Sequence, residues 1–171
     1  MSFLSYLING ISLGSIYAII ALGYTMVYGI ARMLNFAHGD IIMVGGFVVF
    51  TIVSTLGLSP WLGLLVAVVI CTVLGIVIEK VAYCPLRGAS SLAVLITAIG
   101  VSYLLQNLAL YVTGGLNKTY PTIPWISDQV DLFGATTKRV TLITPVLTII
   151  LVILLVQLIN HTKVGMAMRA V

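Results

Sequence analysis

Residues 61–78 read WLGLLVAVVICTVLGIVI, a stretch that contains no charged side chain. At 1.5 Å per residue, a helix of this length measures about 27 Å, close to the roughly 30 Å of a bilayer's hydrocarbon core. Trp61 begins the stretch, and Glu79 and Lys80 follow it. Aromatic and charged residues suit the two membrane interfaces. The stretch therefore predicts a transmembrane helix.

Four other apolar runs of comparable character occupy most of the remaining chain: residues 5–30, 41–56, 92–112 and 140–159. The whole sequence is 61% hydrophobic and 7% charged, with a mean hydropathy of +1.22. A soluble domain carries roughly 25% charged residues. Lipid must therefore cover most of this surface. The expected fold is an all-α, polytopic transmembrane bundle of about five helices that forms a single domain over residues 1–171. This composition excludes a soluble enzyme.

The basic residues between the apolar runs predict an orientation, because cytoplasmic loops close to helix ends collect Lys and Arg. With the N-terminus outside, the longest polar segment, residues 114–139, also lies outside. A small β-hairpin is expected there, around residues 130–140, where short apolar runs flank a glycine. The inner side then receives Arg32, Lys80, Arg87, Lys163 and Arg169, and the outer side receives Lys118, Lys138 and Arg139.

The segment before the second run carries polar residues at an unusual place. Residues 41–56 make a helix of only about 24 Å, and extending it backwards draws His38 and Asp40 into or near the membrane. Residues 35–40 are either an interfacial loop or a broken segment that dips into the bilayer. Asp40 is expected either to cap the following helix or to act directly in function, and a proton relay with His38 is an alternative.

Small and polar residues inside the runs predict contacts between helices. Gly45 and Gly46 leave one helix face nearly bare, and Cys71 with Gly75 repeats a close-packing spacing, as does Gly10 with Gly14. Close backbone contact of this kind drives helix association in lipid. Two neighbouring amides, Gln106 and Asn107, lie in the fourth run, and one of them is expected to bond across helices.

Sequence patterns that mark common active sites are lacking. The chain has no GxxxxGK[ST] phosphate loop and no HExxH or CxxC motif. We therefore expect no catalytic residues, no metal site, no cofactor and no enzymatic activity.

Five segments together resemble a known family. Residues 24–29 (YTMVYG), 34–40 (LNFAHGD), 79–87 (EKVAYCPLR), 99–107 (IGVSYLLQN) and 163–170 (KVGMAMRA) are similar, in order, to the first part of permease subunits of branched-chain amino acid ABC importers. The similarity is strongest at residues 35–40. Family members are longer, so the chain is expected to be a truncated N-terminal half.

The resemblance implies that the protein is a multi-pass permease of the bacterial inner membrane. It implies a translocation path for branched-chain amino acids, driven by ATP hydrolysis in two ATP-binding cassette subunits. A second, related permease and a periplasmic substrate-binding protein are the other implied partners, with no nucleic acid involved. Residues 114–139 would form the periplasmic loop that faces the binding protein, and residues 161–171 would begin the cytoplasmic loop that couples to the ATPase.

The resemblance also suggests two sets of site residues. Permeases for urea or short amides share the motif at residues 35–39, so these substrates are alternatives, as is a stand-alone proton-coupled carrier. The substrate-path residues would be Asn35, His38, Gly39, Asp40, Gly45, Gly46, Gln106 and Asn107, and the coupling residues Val164, Gly165, Met166 and Arg169.

Overall fold

A computed structural model describes residues 3–31, 35–120, 127–132, 135–162 and 165. Within these residues, five helical segments are long and apolar enough to cross a membrane, which confirms the predicted all-α transmembrane class. The helices are α1 (Phe3–Ala31), α2 (His38–Phe50), α3 (Pro60–Ile78), α4 (Ser91–Thr113) and α5 (Arg139–His161). A π-helical turn at Thr51–Thr55 extends α2, and another at Glu79–Tyr83 extends α3.

Local sequence signals set several of these helix boundaries. Pro60 begins α3, where a missing backbone N–H costs nothing. Ser90 caps α4 by accepting a hydrogen bond from the backbone N–H of Ala93 at 3.4 Å. Gly114 ends α4 with a φ of +69°, a left-handed conformation that glycine adopts without steric cost.

The chain divides into two compact units, residues 1–32 with 122–171 and residues 33–121. In the first, α1 packs against α5, and the expected hairpin is present. Its strands β1 (Gln129–Leu132) and β2 (Ala135–Lys138) are antiparallel. The turn residues 133 and 134 lie outside the described residues. The backbone N–H of Arg139 donates to the carbonyl of Asp128 at 2.9 Å, joining the hairpin to the start of α5.

In the second unit, small residues bring α2 and α3 together as an antiparallel pair. A Cβ added at Gly45 would lie 3.0 Å from Cys71 Sγ, and the Cys71 thiol donates to the carbonyl of Ile41 at 3.5 Å. A Cβ at Gly63 would be 3.5 Å from Val53. The predicted close packing at the bare face of α2 is therefore confirmed, because the helices approach where side chains are small.

The buried core of this unit joins α3 and α4 to the segment that precedes α2. Ala37 and Ala98 are completely buried, because both are small and lie where the three segments meet. The cluster consists of Ala37, Ile78, Tyr83, Val94, Ala98 and Leu105. This packing fixes the place at which α2 begins.

Candidate functional site

Asn35 forms the turn that begins α2. Its side-chain Oδ1 accepts hydrogen bonds from the backbone N–H of Ala37 at 3.1 Å and from the Tyr83 hydroxyl at 2.9 Å. Its backbone carbonyl accepts from the N–H of His38 at 3.2 Å. The first bond is a local turn of the type that asparagine favours. The second bond ties this turn to the π-helical turn after α3, so Asn35 positions the residues that follow it.

Asp40 lies in the first turn of α2 and is 7% exposed. Its Oδ1 accepts a hydrogen bond of 3.0 Å from Gln106 Nε2 on α4. The prediction that Asp40 caps α2 is wrong: Ala37 occupies the N-cap position, and no side-chain capping bond is present there. The Gln106 amide instead engages the carboxylate, and Oδ2 is buried without a hydrogen-bond partner among the described residues.

The depth of this bond follows from the position of Gln106 along α4. The same Nε2 also donates to Ser102 Oγ at 3.1 Å, and Ser102 lies midway between Ser91 and Thr113, the two ends of α4. At 1.5 Å per residue, Ser102 is about 16 Å from either end of α4, and Gln106 is about 10 Å from its C-terminal end. The buried carboxylate therefore lies within the length of α4, a helix long and apolar enough to cross a membrane.

The neighbouring polar candidates have different roles. His38 and Asp40 are two residues apart on one helix, a spacing that directs side chains to different sides. The hydrogen bond that the described residues show at the Asp40 carboxylate comes from Gln106, which gives a direct relay with His38 no support. Asn107 Nδ2 donates to the carbonyl of Tyr103 within its own helix at 2.7 Å. The prediction that one of the two amides bonds across helices is confirmed, and that amide is Gln106.

Gly46 receives a contact that the sequence did not predict. The Tyr120 hydroxyl donates to the Gly46 carbonyl at 2.5 Å, and the Tyr120 ring meets the Phe50 ring edge-on at 5.8 Å. A Cβ at Gly46 would lie 3.1 Å from the Tyr120 oxygen. Burial raises the pKa of the Tyr120 phenol, so the hydroxyl stays protonated and remains a donor. At Gly39, a Cβ would have no neighbour within 4 Å.

A cavity of about 580 Å³ lies between α2, α3 and α4. Side chains from all three helices line it, and almost all are aliphatic or aromatic; they include Val44, Phe47, Val66, Ile70, Leu105 and Ala109. The sequence could not reveal this space, because a cavity depends on how three separate helices diverge. Among the described residues, no group of three metal-ligating side chains is present.

Comparison with known proteins identifies the family. Residues 6–171 match the family described as the permease component of the branched-chain amino acid transport system. The chain belongs to this family. The sequence resemblance is thereby confirmed, and the chain is a multi-pass membrane protein of the permease type.

Relatives of this permease chain include the high-affinity branched-chain amino acid transport system permease proteins LivH of Salmonella typhimurium and Escherichia coli K12. BraD of Pseudomonas aeruginosa, whose description is otherwise the same, is equally similar. Each is 37% identical over 98% of this chain, which spans 58% of the relative's length. A probable branched-chain amino acid transport permease protein LivH of Methanocaldococcus jannaschii is 27% identical to this chain. The match covers 89% of this chain and 49% of the relative. No solved structure matches the chain.

One predicted coupling residue of the permease chain lies within the described residues. The backbone N–H of Gly165 donates to Thr162 Oγ1 at 3.2 Å, and a Cβ at Gly165 would overlap the backbone of Ile159. The chain therefore needs a glycine at this position after α5. The other predicted coupling residues, Val164, Met166 and Arg169, lie outside the described residues.

Proposed function

We propose that this chain is a membrane-spanning permease subunit of an ABC importer and forms part of the translocation path for branched-chain amino acids. The observation that carries the proposal is 37% identity over 98% of the chain to high-affinity branched-chain amino acid permease proteins. The relatives bear the names of transport components. On this proposal the chain itself is not an enzyme.

The polar pair between α2 and α4, in which Asp40 is buried, supports a role in passage of a solute. A carboxylate within a membrane span is costly, and such residues usually face a polar path or another protein group. Asp40 and Gln106 meet there, and Asn35 holds the start of α2 in place. The proposed path therefore runs beside the first turn of α2, close to Gly45 and Gly46.

The energy source and the delivery of substrate belong to partners. ATP-binding cassette subunits would dock on residues 161–171 from the cytoplasm, and a periplasmic binding protein would face residues 114–139. A second, related permease would complete the path. ATP binding and hydrolysis in the cassette subunits would shift the permease pair between inward-facing and outward-facing states. The shift would arise because the two states of the complex differ in their affinity for nucleotide.

A stand-alone proton-coupled carrier receives no support from the geometry around Asp40, because the hydrogen bond that the described residues show at this carboxylate comes from Gln106. A permease for urea or short amides would use the same helices and differ in its substrate. The experiment below distinguishes the carrier and the urea or amide permease from the importer.

Co-purification followed by reconstitution tests the proposal. The protein carrying an affinity tag is purified from its native host with the proteins that accompany it and placed in lipid vesicles. We expect two ATP-binding subunits and a second permease, and leucine uptake that requires internal ATP and the binding protein. Uptake of urea in place of leucine would reassign the substrate. Leucine uptake that needs a proton gradient and no ATP would overturn the importer.

A further inference from the structure

The helix α2 turns different sides to α3 and α4 and has a third side that carries two glycines. Gly45 is the residue that approaches α3, and Asp40 is the one that meets α4. In a helix of 3.6 residues per turn, Gly46 is rotated by about 100° from Gly45 and by about 120° from Asp40. Gly39 is seven residues before Gly46 and therefore shares its side. This glycine side of α2 consists of Gly39, Ile42, Gly46 and Phe50.

The chain doubles back after α4 and reaches the glycine side. Gly114 and Gly115 both have a φ of +69°, a left-handed conformation that reverses the chain and that glycine adopts without steric cost. Residues 116–120 have no regular secondary structure and are exposed. Residues 116–119 form no hydrogen bond with other described residues. The strap, residues 114–120, is therefore held to α2 through Tyr120 at its end.

The contact of the strap with α2 lies well inside the helical span. That span runs from His38 to Thr55, and Gly46 lies nine residues before its end. At 1.5 Å per residue, the Tyr120 hydroxyl meets α2 roughly 13 Å from this end. Irregular backbone without hydrogen bonds is tolerated at membrane depth only where it lines water or is buried in protein. The exposed strap therefore suits the edge of a water-filled space better than contact with lipid.

Tyr120 holds the strap by contacts that are weak enough to be reversible. Its hydroxyl makes one hydrogen bond and its ring one edge-on contact, and 56% of the residue is exposed. A single hydrogen bond shifts an equilibrium by about 2- to 12-fold. By contrast, the Tyr83 hydroxyl that holds the start of α2 belongs to a residue that is 8% exposed and lies in the buried core. Tyr83 is thus an anchor, whereas Tyr120 has the properties of a latch.

We propose that the strap is a gate over the glycine side of α2, with Gly114 and Gly115 as its hinge and Tyr120 as its latch. On the predicted orientation, with residues 114–139 outside, the strap closes the outer end of a path that passes Gly46. When latched, it separates Gly39 from the outer solution, and when released, it opens the glycine side to water. The gate rests on the proposed function, because it regulates the path proposed there.

Reaction of an introduced thiol with a membrane-impermeant maleimide, added outside vesicles that contain the complete transporter, tests the gate. The reporter is Gly39→Cys, where a Cβ has no neighbour within 4 Å, and Ile42→Cys is a second reporter on the same side. Both are made in a Cys71→Ser, Cys84→Ser background, since these are the two cysteines of the chain. We expect slow reaction with Tyr120 in place and a reaction about 2- to 12-fold faster in Tyr120→Phe.

Two control variants make this result specific. Lys118→Cys, in the exposed strap, should react rapidly whether or not residue 120 has a hydroxyl. Tyr111→Phe removes a hydroxyl from a residue of α4 that is 87% exposed, and should leave the reporter rate unchanged. The gate would be overturned by an unreactive Lys118→Cys, by unreactive reporters in every variant, or by equal effects of Tyr111→Phe and Tyr120→Phe.

The hinge is tested with the same reporters. Gly115→Ala places a side chain at a φ of +69° and should destabilise the latched strap, so the reporter rate rises as in Tyr120→Phe. Gly115→Asn should have a smaller effect, because asparagine tolerates the left-handed conformation better than alanine does. An unchanged rate in Gly115→Ala would refute the hinge.

General loosening of the fold would give a different pattern of reactivity. The native Cys71 thiol lies between α2 and α3 and donates to the carbonyl of Ile41. In a Cys84→Ser chain without a reporter, Cys71 should react equally slowly with Tyr120 or Tyr120→Phe. If Cys71 became reactive in step with the reporters, the hydroxyl would only stabilise the fold, and the gate would be refuted.

Failure of the gate is distinguishable from failure of the proposed function. ATP-dependent leucine uptake by the native transporter, together with reporter rates that do not depend on the Tyr120 hydroxyl, would leave the importer standing and remove the gate. Reporter rates that depend on this hydroxyl, in a complex that takes up no leucine, would keep the gate and change the substrate.

Discussion

The effect of replacing Gly46 by alanine should depend on whether residue 120 carries a hydroxyl. The Tyr120 hydroxyl donates to the Gly46 carbonyl at 2.5 Å, and an alanine Cβ would lie 3.1 Å from the same oxygen. That separation is tight, so the phenol must move by a few tenths of an ångström. The hydrogen bond and the new methyl group therefore compete for one position.

The magnitude follows from two terms. Alanine in place of glycine inside a helix stabilises the folded state by about 0.5–1 kcal/mol. A single hydrogen bond contributes about 0.5–1.5 kcal/mol net. In the native background, Gly46→Ala gains the first term and loses most of the second, so its net effect on the free energy of unfolding is close to zero. In the Tyr120→Phe background it should stabilise by about 0.5–1 kcal/mol, because no hydroxyl remains to be displaced.

A double-mutant cycle measures this coupling. The free energy of unfolding is obtained from denaturation in mixed detergent micelles for the native protein, Gly46→Ala, Tyr120→Phe and the double variant. Tyr120→Phe keeps the ring against Phe50, so it isolates the hydroxyl. Gly100→Ala on α4 is the matched control: its Cβ would have no neighbour within 4 Å, and its gain should be the same in both backgrounds.

Two results would contradict this reasoning. If Gly46→Ala stabilised both backgrounds equally, the phenol would not be in contact with residue 46. If Tyr120→Phe cost nothing, the hydrogen bond would not contribute to stability.

Two further predictions concern polar pairs of very different exposure. Gln106→Leu leaves the buried Asp40 carboxylate without its hydrogen bond and should destabilise the protein by about 1–3 kcal/mol. The control, Asn107→Leu, loses a bond within one helix and should change the free energy of unfolding by less than about 0.5 kcal/mol. Comparable losses of the two variants in detergent unfolding would argue against the buried pair. Arg87→Gln breaks the 2.6 Å ion pair with Glu79, whose side chains are 71% and 46% exposed, and should cost at most about 1 kcal/mol; a larger loss that persists in high salt would contradict a solvent-screened pair.

The predicted helices agree with the structure because the bilayer imposes a simple rule on the sequence. A span needs about 20 apolar residues, and polar turns must separate spans, so the five runs were visible without any tertiary information. The hairpin was predictable for a similar reason, since short apolar runs flank a glycine there. The shortest apolar run, 41–56, is the one whose beginning the sequence did not predict. The helix α2 begins at His38, and Asp40 lies in its first turn.

The role of Asp40 shows where sequence reasoning stopped. An aspartate just before an apolar run is a common helix cap, and this local pattern supports capping. The bond with Gln106 joins residues 66 positions apart in sequence. No local sequence pattern can therefore predict it. Sequence reasoning selected Gln106 and Asn107 together, but only the rotation of α4 about its axis decides which of the two amides faces α2.

The sequence by itself determined that this protein lives in a membrane, how many times the described chain can cross it, and which family it belongs to. These properties depend on composition, on the length of the apolar runs and on the order of the motifs. Each can be read from residues that are close together in the sequence. The tertiary structure alone decided that Tyr120 reaches Gly46, that Asp40 meets Gln106 of α4, and that an apolar cavity opens between α2, α3 and α4. Those features depend on crossing geometry, because helix contacts in lipid arise from the fit of small and polar side chains that are distant in sequence.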